Sequence, residues 1–460
     1  MNNFLYKLLI LLFCGSFTFV AAENEDKEHL FVKLATESRL MPLYLADIYI
    51  ENASFDEAYL KTLEKVLHFD LSHNGMTFTV KHTGNRDAVS KAGSFDNLGK
   101  AADWKALDVY YVIKVRVKDR KLDARMFSVN GNTVKTAEGL ALTGALNKDR
   151  RTLHQLADMI HKALFNTDGI ATTRFLYSVK TKSADGKHIS EIWEADYDGH
   201  NAQQITKSGE FSISPVYVPP KAGYTPGSFF YVSYKTGQSK IYMASLTEGE
   251  GYRFTLLKGN QLMPSISRQR NKVVFISDYT GNPDVFVQEF SPESGAIGKP
   301  QQVFAAKHAT QGSPVFSPDG NRIAFVSNKD GSPRIYVMAI PAPGAGSKDI
   351  QVSLVTKHNK ESSAPSWSPD GSKLAYCSMA QGVRQIWVYD FDKRMEYQVT
   401  QGAGNKENPT WAPNNLHLIF NSTGGQGSEL YLVNLNQPES KKISSGSGEK
   451  HFPSWQPQVK

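Results

Sequence analysis

A pattern of short segments that recurs along residues 175–455 constrains the fold more than any other feature of the sequence. The first segment of each copy contains a proline, followed two residues later by an aromatic or aliphatic side chain. These prolines, 44 to 51 residues apart, are Pro215, Pro264, Pro314, Pro365, Pro409 and Pro453. An apolar strand that ends in serine follows, then a second apolar strand and a weaker closing strand. Six units of four short antiparallel strands predict a six-bladed β-propeller.

The two apolar strands of each unit can be located directly. The first are predicted at Phe175–Ser178, Phe229–Ser233, Val273–Ser277, Ile323–Ser327, Leu374–Ser378 and Leu418–Ser422. The second are predicted at Ile192–Asp196, Ile241–Ser245, Val285–Glu289, Ile335–Ala339, Ile386–Asp390 and Leu430–Asn434. Ser-Pro-Asp-Gly turns at 317–320 and 368–371 connect the proline strand to the next strand, because proline presets φ and glycine closes the turn. Ala412-Pro-Asn-Asn415 is a variant, and Ser267-Arg-Gln-Arg270 departs from the motif.

The two ends of the repeat array are complementary. The first copy begins at its second segment, Phe175, and the last proline strand, His451–Trp455, has no partner after it. We therefore expect the C-terminal strand to complete the first blade, which closes the ring and removes an open sheet edge. Four aromatic residues are predicted to form the core between blades: Trp367, Trp387, Trp411 and Trp455.

The distribution of proline divides the chain into two unlike parts. Pro42 is the only proline before residue 169, and the other 20 follow it. We predict an α/β N-terminal domain over 23–168 and an all-β six-bladed propeller over 169–460. In the first domain we expect strands at 43–50, 76–80, 109–117 and 123–129, with a hairpin at Asn130-Gly131. A capping box at Ser54–Glu57 is predicted to open one helix, and a second helix is predicted over about 148–165.

The N-terminus has the order of a secretory signal peptide. Lys7 precedes a short apolar run, and Val20-Ala-Ala22 supplies small residues before Glu23, so cleavage is expected after Ala22. A membrane anchor would need a longer apolar core, and lipidation at Cys14 would need a small residue where Phe13 stands. The mature chain would keep one thiol, Cys377, which excludes an internal disulfide and is expected to be buried and inert.

The distribution of charge and the absence of catalytic motifs argue against several classes of function. Residues 23–168 hold 21 basic and 21 acidic residues, and residues 169–460 hold 30 and 24, with no basic block of the nucleic-acid type. The sequence has no Gly-x-Ser-x-Gly or His-Glu-x-x-His motif. His154 and His161 are seven residues apart and are interpreted as solvated or packed side chains rather than metal ligands. No enzyme activity, cofactor or metal is predicted, although a hydrolytic or sugar-binding site in the central channel stays open as the alternative.

The whole chain resembles the TolB family of the Tol–Pal cell-envelope system. The resemblance rests on the signal peptide, the α/β domain, the junction Gly169-Ile-Ala-Thr-Thr-Arg-Phe-Leu-Tyr-Ser178 and the six blades. It implies a periplasmic, monomeric scaffold that binds Pal, the peptidoglycan-associated lipoprotein, and inner-membrane TolA, with no nucleic acid and no membrane span of its own.

The resemblance also implies two binding sites. A Pal-binding propeller mouth is expected at Phe211, Ser212, Asn260, Gln261, Thr310, Gln311, Glu361, Ser362, Asn405, Lys406, Glu449 and Lys450. A TolA-binding N-terminal segment is expected at Glu23, Asn24, Leu30, Phe31 and Val32.

Overall fold

The computed structural model describes residues 39–52, 54–92, 94–342 and 350–458. Its first part is a mixed α/β domain. The elements of that domain are β1 (Met41–Leu45), β2 (Tyr49–Glu51), α1 (Glu57–Ser72), β3 (Thr77–Thr79), α2 (Gly84–Lys91), α3 (Ala101–Ala106), β4 (Tyr111–Lys118), β5 (Lys121–Ser128), β6 (Thr133–Ala141) and α4 (Leu146–Phe165).

A six-stranded sheet forms the centre of this domain. The strand order is β3-β1-β4-β5-β6, with β2 also paired to β4. β1 runs parallel to β3 and β4, and the β4-β5-β6 run is antiparallel. Because side chains alternate along a strand, Ile113 packs with α1 and α4 on one face. Val112 packs on the other face with Trp104, whose Nε1 donates to the Leu98 carbonyl at 2.7 Å.

Two local predictions in this domain are wrong, and the single strand expected at 43–50 is divided into β1 and β2. Helix α1 begins at Glu57 with Asp56 as its N-cap, whose carboxylate accepts from the Tyr59 amide at 2.7 Å, so Ser54 does not cap it. Aspartate competes well with serine at this position. In the β5–β6 hairpin, Asn132 takes the positive φ of 48° that was expected at Asn130-Gly131. The helix predicted near 148–165 is confirmed as α4 and ends at Asn166 in the left-handed conformation.

The second part is the predicted propeller, with six four-stranded sheets. Blade 1 contains β7 (Arg174–Lys182), β8 (His188–Asp196) and β9 (Gln203–Gln204). Blade 2 contains β10 (Ser212–Tyr217), β11 (Ser228–Ser233), β12 (Lys240–Ser245) and β13 (Gly251–Arg253). Blade 3 contains β14 (Gln261–Ile266), β15 (Lys272–Ser277), β16 (Asp284–Ser291) and β17 (Gly295–Phe304).

The remaining blades follow the same order. Blade 4 contains β18 (Gln311–Phe316), β19 (Arg322–Ser327), β20 (Arg334–Ala339) and β21 (Val352–Leu354). Blade 5 contains β22 (Ser363–Trp367), β23 (Lys373–Ala380), β24 (Val383–Asp390) and β25 (Met395–Gln398). Blade 6 contains β26 (Asn405–Trp411), β27 (His417–Gly424), β28 (Gly427–Asn434) and β29 (Gln437–Lys442).

The last strand, β30 (Glu449–Trp455), closes the ring as predicted. It pairs antiparallel with β7 and sets Trp455 opposite Phe175, which gives blade 1 the order β30-β7-β8-β9. The Trp455 indole Nε1 donates to the Thr173 hydroxyl at 2.9 Å. Trp367 and Trp411 are also buried, whereas Trp387 is half-buried. The first and last parts of the propeller sequence therefore share one blade.

Each inner strand contains a β-bulge that the sequence pattern did not predict. The residue before every repeat proline has a positive φ, and the pairing register shifts there. These residues are Ser214, Met263, Ser313, Ala364, Asn408 and Phe452. A proline removes a ladder amide, and a bulge is one place where a strand tolerates that loss.

The turns after the inner strands also require a positive φ. Gly320 supplies it in blade 4 with a φ of 73°, and Asn415 supplies it in blade 6 with a φ of 60°. In blade 3, where the motif is replaced, Arg270 takes this conformation at 62°. The neighbouring Arg268 donates across to the Pro369 carbonyl at 2.9 Å, so the departure from the motif creates a contact with the turn of blade 5.

Candidate functional site

The antiparallel order of the blades creates two distinct sides. The loops that enter the inner strands and the turns between second and third strands lie on one side, which we name the loop face. Its segments, which include the strand ends that flank the turns at 183–187, 381–382 and 425–426, are residues 181–188, 205–211, 234–239, 254–260, 278–283, 305–310, 328–333, 355–362, 379–384, 399–404, 423–428 and 443–448. The other turns of each blade lie on the opposite side, the domain face, where the α/β domain packs against blades 1 and 6.

The predicted mouth residues lie in or next to the loops that enter the inner strands, but the two members of each pair differ in burial. The first members are half-buried or exposed: Phe211, Asn260, Thr310, Glu361, Asn405 and Glu449. The second members are buried: Ser212, Gln261, Gln311, Ser362, Lys406 and Lys450. Sequence spacing could not separate these two groups, since both flank the start of a strand. The predicted N-terminal segment, Glu23, Asn24, Leu30, Phe31 and Val32, lies outside the described residues.

Two of the buried residues are lysines whose ammonium groups are used internally. Lys406 Nζ donates to three carbonyls of its own loop, including those of Gly402 at 2.7 Å and Gly404 at 2.9 Å. Lys450 Nζ donates to the Gly446 carbonyl at 2.6 Å and pairs with Glu429 at 3.2 Å. These side chains hold loops in place, so reversing their charge would disrupt the loop rather than probe a surface contact.

Side chains near the start of the third strands hold other entry loops. Glu191 accepts from the Gly209 amide at 2.7 Å, and Gln385 donates to the Gly402 carbonyl at 2.7 Å. Lys240 Nζ donates to the Gly259 carbonyl. All three side chains are buried. Because a buried polar group needs its partner, these bonds fix the loops in one arrangement before any partner arrives.

The same face exposes two large apolar side chains on neighbouring segments. Leu256 is 87% exposed in the loop entering blade 3, and Tyr279 is 55% exposed in the next turn. The Asn260 amide joins these two segments by donating to the Asp278 carboxylate at 2.6 Å. Exposed apolar groups on a rigid framework are typical of a surface that binds another macromolecule.

A polar cleft of about 1050 Å³ lies between α4, blade 1 and blade 2. Arg151 lines one wall, and the insert that contains Thr225 lines another. At its floor, Arg174 pairs with Glu194 and, at 3.2 Å, with Asp196. The sequence did not indicate this cleft, because its walls come from segments far apart in the chain.

A buried ionic cluster joins the α/β domain to blade 1. His154 Nδ1 lies 2.8 Å from an Asp70 carboxylate oxygen, and Tyr197 donates to the other oxygen at 2.7 Å. Asp198 pairs with Arg150 and lies 3.6 Å from His154 Nε2. Burial opposes the charged imidazolium, but Asp70 and Asp198 together raise the pKa of His154 above its usual value. His154 is therefore a buried ion-pair partner and not a solvated histidine.

A second contact joins the α/β domain to blade 6. His417 Nε2 lies 2.8 Å from the His73 carbonyl oxygen, and Asn436 donates to the Gly75 carbonyl at 2.9 Å. Complete burial lowers the pKa of His417 to about 3, so this imidazole is neutral at ordinary pH. His161, the other histidine of the predicted pair, is buried on α4 with its Nε2 3.0 Å from the Thr167 hydroxyl.

Among the residues that the structure describes, the side chains that could hold a metal ion or act as a nucleophile are few. Within the described ranges, no group of three or more His, Cys, Asp or Glu side chains is arranged to hold a metal ion. Cys377 is buried and its thiol contacts the Ser363 hydroxyl at 2.9 Å, and burial raises its pKa to about 11. In the same part of the chain, no helix combines the length and the apolar character needed to cross a membrane.

The structure joins an α/β domain, with α1 and α4 on one sheet face, to a six-bladed propeller that the C-terminal strand closes. This combination defines a class of two-domain propeller proteins. The family model described as "TolB beta propeller domain" (PD40) matches residues 161–459. The chain is 53% identical over 401 residues to a TolB homolog of Protochlamydia amoebophila, which covers 87% of this chain and 86% of that protein. The chain belongs to the TolB family.

Two further similarities agree with this assignment. A TolB homolog of Chlamydia felis is 42% identical over 270 residues, which is 58% of this chain and 61% of that protein. The crystal structure of TolB from Acinetobacter baumannii superposes with a TM-score of 0.73 at 19% identity, covering 92% of this chain and 98% of that one. At this identity the structural match shows the shared fold.

Proposed function

We propose that this protein is a non-enzymatic scaffold of the Tol–Pal system that binds the lipoprotein Pal through the loop face of its propeller. The observation that carries the proposal is the loop face itself, where buried side chains fix the loops and Leu256 and Tyr279 stand exposed. Binding a partner needs such a prearranged surface and no acid–base machinery. Membership of the TolB family supports the same partner.

The cellular setting forms part of the same proposal. The chain would be exported by residues 1–22, cleaved after Ala22 and released as a monomer into the periplasm. There the domains 23–168 and 169–460 would link Pal, at the outer membrane and peptidoglycan, to TolA in the inner membrane. The segment with Glu23, Asn24, Leu30, Phe31 and Val32 would bind TolA by adding a strand to a sheet edge. This linkage would serve envelope integrity and cell division.

A pull-down with immobilised Pal tests the proposal. We expect the unmodified protein to be retained and the variant Leu256→Asp with Tyr279→Asp to lose retention, because two charges would replace exposed apolar contacts. The matched control is Tyr224→Asp with Met395→Asp, which changes two apolar residues, 74% and 47% exposed, on the domain face. We expect this control to be retained.

Two other results of this pull-down would refute part or all of the proposal. Failure of the unmodified protein to be retained would refute the proposed function. If the control variant lost retention while the Leu256→Asp/Tyr279→Asp variant was retained, Pal would bind the domain face. That result would refute the proposed site.

A further inference from the structure

The net positive charge of the propeller is concentrated on its loop face. Of the 30 Lys and Arg and 24 Asp and Glu residues in 169–460, ten and five, respectively, belong to the loop-face segments. The rest of the propeller therefore holds 20 and 19 and is close to neutral. Since both sides of the ring carry similar numbers of loops, this imbalance is a property of one face and not of the propeller as a whole.

The basic residues of this face are exposed lysines that follow one another around the ring. We name them the cationic arc: Lys182, Lys187, Lys207, Lys235, Lys258, Lys307, Lys329, Lys357 and Lys360. Lys187 pairs with Glu210 and Lys329 with Asp330. The other seven have no carboxylate within ion-pair distance among the described residues. Arg384, the remaining basic residue, is paired with the buried Glu407 at 2.9 Å.

The arc is confined to the loop-face segments of blades 1 to 5. The loop-face segments 399–404, 423–428 and 443–448 carry no charged residue and are rich in glycine and serine. These are the segments next to the buried Lys406 and Lys450, whose ammonium groups are used inside the loops. The loop face thus has a charged part on blades 1 to 5 and an uncharged part on blade 6. A partner attracted by charge would therefore bind over blades 1 to 5 and not symmetrically around the ring.

The kind of partner follows from the composition of the arc. All nine residues are lysines, which act as point charges and lack the bidentate fork that arginine presents to carboxylates and phosphates. Leu256 lies two residues from Lys258 in the same loop, and Tyr279 lies in the turn joined to that loop by the Asn260–Asp278 hydrogen bond, so exposed apolar groups accompany the lysines near the middle of the arc. An apolar core with a polar rim is typical of protein–protein interfaces.

We propose that the cationic arc of the loop face binds an acidic segment of a protein partner, with Leu256 and Tyr279 as the apolar anchor. This inference rests on the proposed function, in which the partner is Pal, and adds the chemistry by which the partner is recognised. Rim charges mainly raise the association rate and confer salt dependence. The arc therefore steers an acidic partner to one side of the ring.

The test is an equilibrium titration of the full chain with Pal at low and high salt. We expect the affinity of the unmodified protein to fall about tenfold or more between about 50 mM and about 500 mM NaCl, where the screening length becomes much shorter. The variant K207E/K258E/K307E should bind about tenfold more weakly at low salt and lose most of the salt dependence, since three attractive charges become repulsive.

The control variant is K221E/K299E/K393E, which makes the same change in net charge on exposed lysines away from the loop face. We expect its affinity to stay within about twofold of the unmodified protein, because screened charges on the opposite side act weakly. An equal loss in both variants would show an effect of total charge and overturn the inference.

Two further outcomes separate the inference from the proposed function. Binding of Pal with no salt dependence and no loss in K207E/K258E/K307E would overturn the cationic arc while leaving the scaffold function intact. No binding of Pal by the unmodified protein would refute the scaffold function itself. Binding of duplex DNA or of anionic phosphatidylglycerol vesicles as tightly as Pal, with loss in the same variant, would identify a general anion surface and overturn the inference.

Discussion

The buried ion pair between Asp70 and His154 offers a sensitive test of how the two domains are joined. The side chain of Asp70 is fully buried and that of His154 is 1% exposed. Replacing Asp70 with asparagine keeps an acceptor for the Tyr197 hydroxyl but removes the charge that stabilises the imidazolium. Removing one partner of a buried pair costs about 3–5 kcal/mol. We expect Asp70→Asn to lose a free energy of this size at the contact between α1, α4 and blade 1.

The assay is amide hydrogen exchange, with urea unfolding as a second measurement. Exchange should accelerate in α1 and α4 and stay slow in blades 3 and 4, which lie away from the contact. The control is Asp103→Asn, an exposed carboxylate in the first turn of α3, which should cost less than about 1 kcal/mol. A double-mutant cycle with His154→Gln should give a coupling energy of about 1–3 kcal/mol. Additive effects, or an Asp70→Asn variant as stable as the unmodified protein, would refute this account of the junction.

The same pair predicts a pH dependence with a definite sign. Folding raises the pKa of His154. The stabilisation from protonated His154 is therefore complete below its pKa in the unfolded protein, about 6.5, and is lost as pH rises through its pKa in the folded protein. The free-energy difference between the unmodified protein and His154→Gln should therefore shrink as pH rises above about 6.5. His161→Gln, on the same helix, is the control, because burial lowers the pKa of His161. A difference that grows with pH would contradict the assignment.

Three further predictions concern the closure of the ring, the blade 6 contact and the thiol. Trp455→Ala should lower the free energy of unfolding by about 3–5 kcal/mol in urea denaturation, because it opens a cavity and removes the hydrogen bond to the Thr173 hydroxyl; a loss below about 1 kcal/mol would argue against a closing role. His417 has a folded pKa of about 3, so stability should fall by up to about 1.4 kcal/mol per pH unit as pH drops below about 6.5. His417→Gln should flatten that slope, and an unchanged slope would contradict the burial of His417. Cys377 should resist thiol-labelling reagents in the folded protein and react once it is unfolded; rapid labelling of Cys377 in the folded protein would contradict its burial.

The blades could be predicted from the sequence because their signals are local. Apolar strands ending in serine and Ser-Pro-Asp-Gly turns each depend on a few adjacent residues. The offset ends of the array then implied that β30 completes blade 1. Bulge residues such as Met263 could not be predicted, since their side chains, apart from that of Asn408, do not favour a positive φ.

The contacts between the domains and the exposed residues of the loop face could not be predicted from local sequence patterns. Asp70 and His154 are 84 residues apart, so no spacing rule connects them. The resemblance to the TolB family placed Lys406 at the binding mouth, but this side chain is buried and three loop carbonyls hold its ammonium group. The exposed lysines of the cationic arc come from five blades and are assembled only by the closed ring.

Binding of Pal to the loop face can be measured by comparing amide hydrogen exchange of the full chain with and without saturating Pal. We expect protection in loop-face segments, above all 205–211, 254–260 and 278–283. Exchange in the domain-face turns at 197–201 and 412–417 should stay unchanged. Protection confined to the domain face or the α/β domain, or no protection at all, would contradict binding of Pal to the loop face.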